Sequence, residues 1–506
     1  MARRRKHWGW GFEDEQPSSG ELREAAAGLV AHLGFGSVEV ESPAPLSLPA
    51  SRVAPPSPVF TADDHTRALH AHGASYVDVV RGFRGSFPCV PDLVAYPADE
   101  HQLAEVLEWC ASEGLVVTPY GGGTSVVGGV APVAGGVSVD LGAMDRVLEV
   151  DEVSRAARIQ AGARGPVLES ALGEHGLTLR FYPQSFEFST LGGWIATRAA
   201  GHFATGPTHI DDLVESVRAV TVGGEAWESR RLPASGAGPS PDRMLLGSEG
   251  TLAVITEAWV RVRPRPSERR SASVTFPSWD AGVDAVREIV QAGLQPANCR
   301  LLSAGEAAVT FAGDADLLVL GFEDSGVSGA DAAFSVCRSH GGRVREGSGG
   351  GGGAWRDAFL RAPYLRDTFV ALGVLSETFE TAVTWDRLPA LVSAVKAAVV
   401  DAQGGAGSVT VRLTHAYPDG AAPYFTVLAP ARRGSEEEQW LELKDLAAGA
   451  VVAAGGTITH HHAVGRDHRR WYDRQRPDPF ARAMRAAKDE LDPHGLLNPG
   501  VLWEAR

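Results

Sequence analysis

One stretch limits the fold more than any other. Pro119-Tyr120-Gly121-Gly122-Gly123-Thr124-Ser125 follows directly on the apolar run Leu115–Thr118. Three successive glycines leave backbone N–H groups uncovered by side chains, which suits an anion-binding nest. Thr124 and Ser125 add hydroxyl donors. Upstream, Leu93–Tyr96 reads as a strand, and Asp99 can cap a helix with Gln102 three residues on. Leu103, Val106, Leu107 and Cys110 keep helical spacing until Gly114 stops the helix. The segment predicts a β-α-β unit ending in a glycine-rich loop. No Gly-Lys-Ser/Thr follows, and Gly-x-Gly-x-x-Gly is absent from this strand-to-helix turn, so it is neither of the common nucleotide loops. Taken alone, the loop reads equally well as a plain turn.

Two later segments change that balance. Pro183-Gln184-Ser185-Phe186-Glu187-Phe188-Ser189-Thr190-Leu191-Gly192-Gly193-Trp194-Ile195-Ala196-Thr197-Arg198-Ala199-Ala200-Gly201 is dense in small and hydroxyl residues. So is Gly247-Ser248-Glu249-Gly250-Thr251-Leu252-Ala253-Val254-Ile255-Thr256. Short strands over Val137–Leu141, Arg158–Ala161, Val217–Val222 and Leu252–Val262 predict an α+β domain to about Pro266. Beyond it, strands (Ala272–Phe276, Leu317–Phe322, Val409–Thr414, Tyr424–Leu428) alternate with helices. One helix, from Asp386 to Val400, sets Leu388, Leu391, Val392, Val395 and Val399 on one face. Residues 1–80 read as irregular, with an extended Pro/Ser-rich arm over Ser42–Pro58, and Gly349–Gly353 reads as a flexible loop. The expected divisions are 1–84, 85–266, 267–455 and 456–506.

The net charge of −15 lacks the basic footprint of a nucleic-acid binder. Cys89, Cys110, Cys299 and Cys337 are far apart and suggest buried apolar residues, not a disulfide framework or zinc site. Arg far outnumbers Lys, and with abundant Ala and Gly this points to a GC-rich bacterial genome. Arg3-Arg4-Arg5-Lys6 is followed by Trp8, Gly9 and Trp10 and not by the apolar core of a signal peptide. No stretch reads as a membrane helix, so a soluble, cytoplasmic chain is expected.

The three ordered segments resemble those that enclose FAD in the flavoprotein superfamily of vanillyl-alcohol oxidase and p-cresol methylhydroxylase. Within it the chain is most similar to the alkylglycerone-phosphate synthase (alkyldihydroxyacetonephosphate synthase) family. The similarity lies in Lys6-His7-Trp8-Gly9-Trp10-Gly11, Phe186–Trp194, Tyr364-Leu365-Arg366-Asp367, Glu377-Thr378-Phe379-Glu380-Thr381-Ala382, Trp385-Asp386-Arg387 and His460-His461-His462. The resemblance implies an α+β, two-lobed FAD-binding domain of the p-cresol methylhydroxylase type over 85–266. It also implies an α/β substrate (cap) domain over 267–455 and a C-terminal segment, 456–506, that completes the active site. FAD contacts are implied at Pro119–Ser125, Gln184–Thr190, Ala196–Ala199 and Glu249–Ile255. Gln184 stands where an acidic residue is expected. No histidine lies in the first glycine loop, so FAD is expected to be non-covalent.

The resemblance further implies exchange of the acyl group of acyl-dihydroxyacetone phosphate for a fatty alcohol. The reaction has no net redox change and passes through flavin N5. Tyr424 would be the acid/base. A phenol of pKa about 10 needs neighbouring cations for that work. Arg366 would clamp the substrate phosphate, Arg300 is a second functional arginine, and His460, His461 and His462 are active-site candidates. If that run is extended, His460 and His462 share a face and His461 points away. No metal is expected. Partners are lipid-like small molecules, and a homodimer is left open. A long acyl chain favours peripheral membrane contact, for which Trp8 and Trp10 are candidates beside a simply packed arm. The competing reading is an FAD-linked D-2-hydroxy-acid dehydrogenase. Such a protein carries Asp-Gly-Asn-x-His after its first histidine; here His415 and Asp419-Gly420 are kept but Tyr424 replaces the second histidine. A non-catalytic flavin-binding protein is the third reading, and the Tyr, Arg and triple-His set weighs against it.

Overall fold

The computed structural model describes residues 3–33, 38–310, 312–347 and 362–505. The Gly349–Gly353 run lies outside them. The predicted β-α-β unit is present. Strand Leu93–Ala95 leads through helix Glu100–Glu113 to strand Val117–Tyr120, and both strands pair in parallel with Val137–Asp140. Asp99 accepts the Gln102 N–H at 2.9 Å, and Gly114 ends the helix at φ +64°. Beside this small sheet stands a five-stranded antiparallel one, ordered Val147–Asp151, Ala156–Gln160, Val254–Arg261, Val214–Val220 and Ala226–Glu228. The two sheets share one core, in which Leu93, Val117, Leu191, Leu252 and Val260 are fully buried.

The second half is built on an eight-stranded antiparallel sheet. Its central strands include Asn298–Leu302, Ser408–Ala416 and Gly420–Pro430, and Val374–Glu380 ends the order beside Gly420–Pro430. Strand Ser408–Ala416 alternates polar and apolar residues up to Leu413, as a strand with one core face should. Val411 and Leu413 join Phe425 and Val427 in a core with Leu391 and Val395 of helix Leu388–Ala402. Thr410 and Arg412 point to the other face, where they bond Glu306.

The N-terminal region departs from expectation. Ser42–Pro58 has no helix or strand, but helices span Ser19–Leu33, Asp64–Leu69 and Tyr76–Phe83. The last is capped by a reciprocal Ser75–Asp78 box and buries Tyr76, Val77, Val80 and Phe83. That box and apolar spacing were visible in the sequence. Trp8 and Trp10 are buried against Phe83 and Phe188, so neither is exposed as a membrane anchor. No helix among the described residues is long and apolar enough to cross a membrane.

The C-terminal segment adds helices Arg469–Gln475 and Asp478–Leu491. Beyond them, Asp492 accepts the N–H groups of Leu496 (2.9 Å) and Leu497 (2.8 Å). Lys488 bonds Asp492, the Thr251 carbonyl (2.6 Å) and the Leu497 carbonyl (3.0 Å). The knot lays the chain end along strand Val117–Tyr120. Val117 N–H donates to Leu496 O and Asn498 N–H to Val117 O, both at 2.8 Å. Removing one partner of a buried ion pair leaves the other charge uncompensated. Lys488→Met should therefore lower the unfolding free energy by about 3–5 kcal/mol, measured by urea denaturation; a loss under about 1 kcal/mol would contradict the clasp.

Candidate active site

The three glycine- and hydroxyl-rich segments converge. Pro119 and Tyr120 end the strand that leads into Gly121–Ser125. A Cβ on Gly121 would strike the Thr190 hydroxyl, one on Gly122 the Phe188 carbonyl, and one on Gly123 the Tyr120 hydroxyl. Only glycine lets this loop lie against Gln184–Thr190, which runs through turns at 184–188. Thr190 caps helix Leu191–Thr197, and Trp194 Nε1 donates to Ser189 Oγ at 2.7 Å. Ser189 Oγ in turn donates to the Ser185 carbonyl at 2.9 Å, Phe186 packs on Gly165, and Glu187 accepts from the Tyr364 hydroxyl. Ala196, Thr197, Arg198 and Ala199 form the end of the same helix, with Arg198 left-handed at φ 50°. Glu249 N–H donates to Ala196 O at 2.9 Å, joining the third segment to the second. Gly250 abuts Pro119. Thr251 bonds Ser248, Leu252 and Ala253 enter the core, and Val254 and Ile255 open a strand.

The glycine loop fits a pyrophosphate. Among the described residues, the N–H groups of Gly122, Gly123 and Thr124 donate to no protein acceptor. Ser125 Oγ is turned inward, accepting from Gly129 N–H at 3.0 Å. Glu249 accepts from the N–H groups of Val464 (3.0 Å) and Gly465 (2.9 Å), so the C-terminal segment closes over this end of the site. Burial pushes the Glu249 carboxyl up to about 7 against the pull of those donors.

A second group gathers on the polar face of the large sheet. Arg412 and Tyr424 are register partners across one strand pair, and Tyr424 and Glu380 across the next. The three therefore form one row. The Arg412 guanidinium lies 3.9 Å from the Tyr424 ring centroid and is held from behind by Glu306. Glu380 accepts the backbone N–H groups of His460 (2.6 Å), His461 (3.1 Å) and His462 (2.9 Å), and the Thr459 hydroxyl at 2.6 Å. The histidine run is thus wrapped around a carboxylate and not extended, which removes the basis for opposing faces. His461 stacks near Tyr424 (6.2 Å between centroids) and His462 stands edge-on to it (5.5 Å). His460 turns away to Tyr417 (2.7 Å) and His209 (3.2 Å). A β-bulge between Leu413 and His415 precedes His415, whose ring lies 4.8 Å from that of His460. Ligand atoms of His415, His460 and His461 lie within 4.8 Å of one another, as do those of Glu380, His461 and His462. Both sets are of a kind that can hold a metal.

Arg300 is buried beside this row and donates to His202 O at 2.8 Å. Burial first, and then Arg412, push its guanidinium down to about 9. Arg366 lies on the helix 362–371 and bonds Ala74 O and Thr378 Oγ1. The next residue, Asp367, is locked by Lys6 Nζ (2.8 Å) and by the Trp10 N–H (2.9 Å). Arg412, His209 and Tyr417 were not picked out from the sequence, and Glu380 was named there only within a family-like segment, without a role. A register count back from Tyr424 through the Asp419-Gly420 hairpin could have found Arg412. Nothing local marks His209.

Burial pushes His461 down to about 3 and His462 to about 4, with Glu380 pulling the other way. Between those values and 6.5 the unfolded chain binds protons that the folded chain refuses. Unfolding free energy should then fall as the pH drops below 6.5, by up to about 1.4 kcal/mol per pH unit for each histidine. His462→Gln should remove one such share. Urea unfolding at pH 7 and pH 5 measures it, and an equal acid loss in both proteins would refute the assignment.

Residues 91–230 match the family described as FAD binding domain, and residues 265–502 match FAD linked oxidases, C-terminal domain. The alkyldihydroxyacetonephosphate synthase of Caenorhabditis elegans is 31% identical over 479 residues, covering 87% of this chain and 80% of that protein. Its counterpart from Dictyostelium discoideum is 30% identical over 475 residues, covering 87% and 78%. An uncharacterized FAD-linked oxidoreductase of Escherichia coli is 24% identical over 439 residues, covering 82% and 89%. Among solved structures, an alkyldihydroxyacetonephosphate synthase superposes with a TM-score of 0.82 at 24% identity, covering 98% of each chain. Substrate-bound p-cresol methylhydroxylase superposes at 0.70 and 14% identity, covering 96% of this chain and 98% of that one. The glycine cradle and the two-lobed α+β fold agree with FAD as cofactor, and the chain belongs to the alkyldihydroxyacetonephosphate synthase family of FAD-dependent enzymes.

Proposed function

We propose that the chain exchanges the acyl group of acyl-dihydroxyacetone phosphate for a fatty alcohol, a step of ether-lipid synthesis without net redox change. The observation that carries this reading is the row Arg412–Tyr424–Glu380, which sets one phenol between a guanidinium and two imidazoles. The names of the relatives support the substrate class. FAD, when bound, would supply the N5 centre through which acyl loss and alcohol entry are separated into two steps. Tyr424 takes a proton from the substrate carbon and later returns it. Arg412 and Arg300 place positive charge beside the phenol. His461 and His462, neutral at pH 7, can each donate one hydrogen bond to the departing carboxylate. His460, turned to Tyr417 and His209, orients its neighbours. Arg366 clamps the substrate phosphate with its planar fork. The alcohol proton leaves with the fatty acid.

Tyr424→Phe should stay yellow and FAD-bound while kcat falls about a hundredfold or more; activity near the wild-type level would remove Tyr424 as the acid/base. Arg366→Ala should raise KM for acyl-dihydroxyacetone phosphate about tenfold or more with FAD binding kept, and an unchanged KM would rule out the clamp. An anaerobic screen that follows the flavin spectrum tests the reaction class. A response to acyl-dihydroxyacetone phosphate supports exchange. Bleaching by a D-2-hydroxy acid would replace it with the dehydrogenase reading, which the metal-compatible His415, His460 and His461 set favours.

A further inference from the structure

The N-terminal segment Arg5–Trp10 roofs a cleft that runs from Gly123 to Arg366. Its charged lining is one-sided. Among the described residues, Arg5, Lys6 and Arg366 face it together with His7 and His72, and no carboxylate does, in a chain of net charge −15. Lys6 is already paired with Asp367. Arg5 is different. Its Nη1 donates to the Gly122 carbonyl at 3.1 Å, its guanidinium lies 4.5 Å from the Phe188 ring centroid, and its Nε is buried without an acceptor. The carboxylates that act on it from a distance, Asp140 and Glu187, are bonded to His70 and Tyr364. Arg164 adds a second positive charge nearby. His7 Nε2 and His72 Nε2 are also buried without partners. Gly123, whose N–H donates to no protein acceptor among the described residues, lines the same cleft. Arg5, His7, His72 and Gly123 thus line one cleft, and the Arg5 Nε and both histidine Nε2 atoms are buried without a partner among the described residues. Such groups are costly to bury unpaired, and an anion with several acceptor oxygens would satisfy them together.

We propose that Arg5, delivered by the N-terminal segment, is the counter-ion of a phosphate group held between that segment and the glycine loop, and that this group is the pyrophosphate of the flavin dinucleotide. The other source of the same chemistry is the phosphate of the substrate. Position favours the dinucleotide, because Arg5 bonds the loop directly at Gly122 whereas Arg366 bonds Ala74 and Thr378. The assignment rests on FAD as cofactor and not on the acyl-exchange reading.

Wild-type, Arg5→Met and Arg5→Lys holoenzymes are diluted and released flavin is followed by fluorescence. The FAD dissociation constant rises about tenfold or more in Arg5→Met, the worth of one charge-assisted hydrogen bond. Arg5→Lys restores much of it. At saturating FAD, KM for acyl-dihydroxyacetone phosphate moves less than twofold. A folded Arg5→Met protein that binds FAD within twofold of wild type overturns the proposal. So does a raised KM with unchanged FAD binding, which would assign Arg5 to the substrate phosphate. If Arg5→Met does not fold, phosphorus NMR of bound FAD decides: the pyrophosphate resonances shift between wild type and Arg5→Lys, and coincident spectra overturn the proposal.

Discussion

A single buried carboxylate organises the side-chain cluster on the polar face of the large sheet. Glu380 is only 2% exposed, and a charge in that position must collect donors or be expelled. It collects them from the chain's last segment, through three successive backbone N–H groups and the Thr459 hydroxyl. Burial would push this carboxyl up, but the facing imidazoles and Thr459 hold it well below the usual carboxylate range. The result is geometric. The His460–His462 run is pinned where the sheet presents Tyr424, because Tyr424 is Glu380's register partner. A carboxamide at position 380 could not accept at both oxygens, so the charge and the fold of that run are one requirement.

Much of this was legible in the sequence, and the limit has a physical cause. Local signals translated well. The glycine loop, the Asp99 cap, Gly114 and the apolar face of Leu388–Val399 all stand where spacing puts them, because each depends on neighbours within a turn or two. The resemblance identified the family and the cofactor. What stayed hidden is non-local. Glu380 becomes a hub only when residues 80 positions later fold onto it. His209 becomes visible only beside His460. Arg412 joins Tyr424 through strand register, and Glu306 joins Arg412 from the helix Ala304–Val309. The N-terminal helices were a different failure. The Ser75–Asp78 box was readable, but the Pro/Ser-rich stretch before it drew the whole region into one irregular arm.

Both ends of the chain build the site, from opposite sides. The N-terminal segment locks Asp367 through Lys6 and Trp10, so the helix bearing Arg366 is fixed by residues more than three hundred positions upstream. A side chain at Gly9 would collide with the Asp367 carboxylate, so this lock tolerates no bulk. The C-terminal segment grips Glu249 and lines the strand before the glycine loop. Each fixes a backbone or a charge beside the glycine loop or the helix that bears Arg366.

The late arrival of Leu496–Asn498 on strand Val117–Tyr120 has a consequence for synthesis. That strand lies at the edge of its four-stranded sheet, and until those final residues emerge from the ribosome nothing made so far pairs with its free side. An open, apolar edge is a template for pairing with another nascent chain. The cell therefore has to shield this edge while several hundred further residues are translated, and a chain truncated before Leu496 would keep it exposed for good.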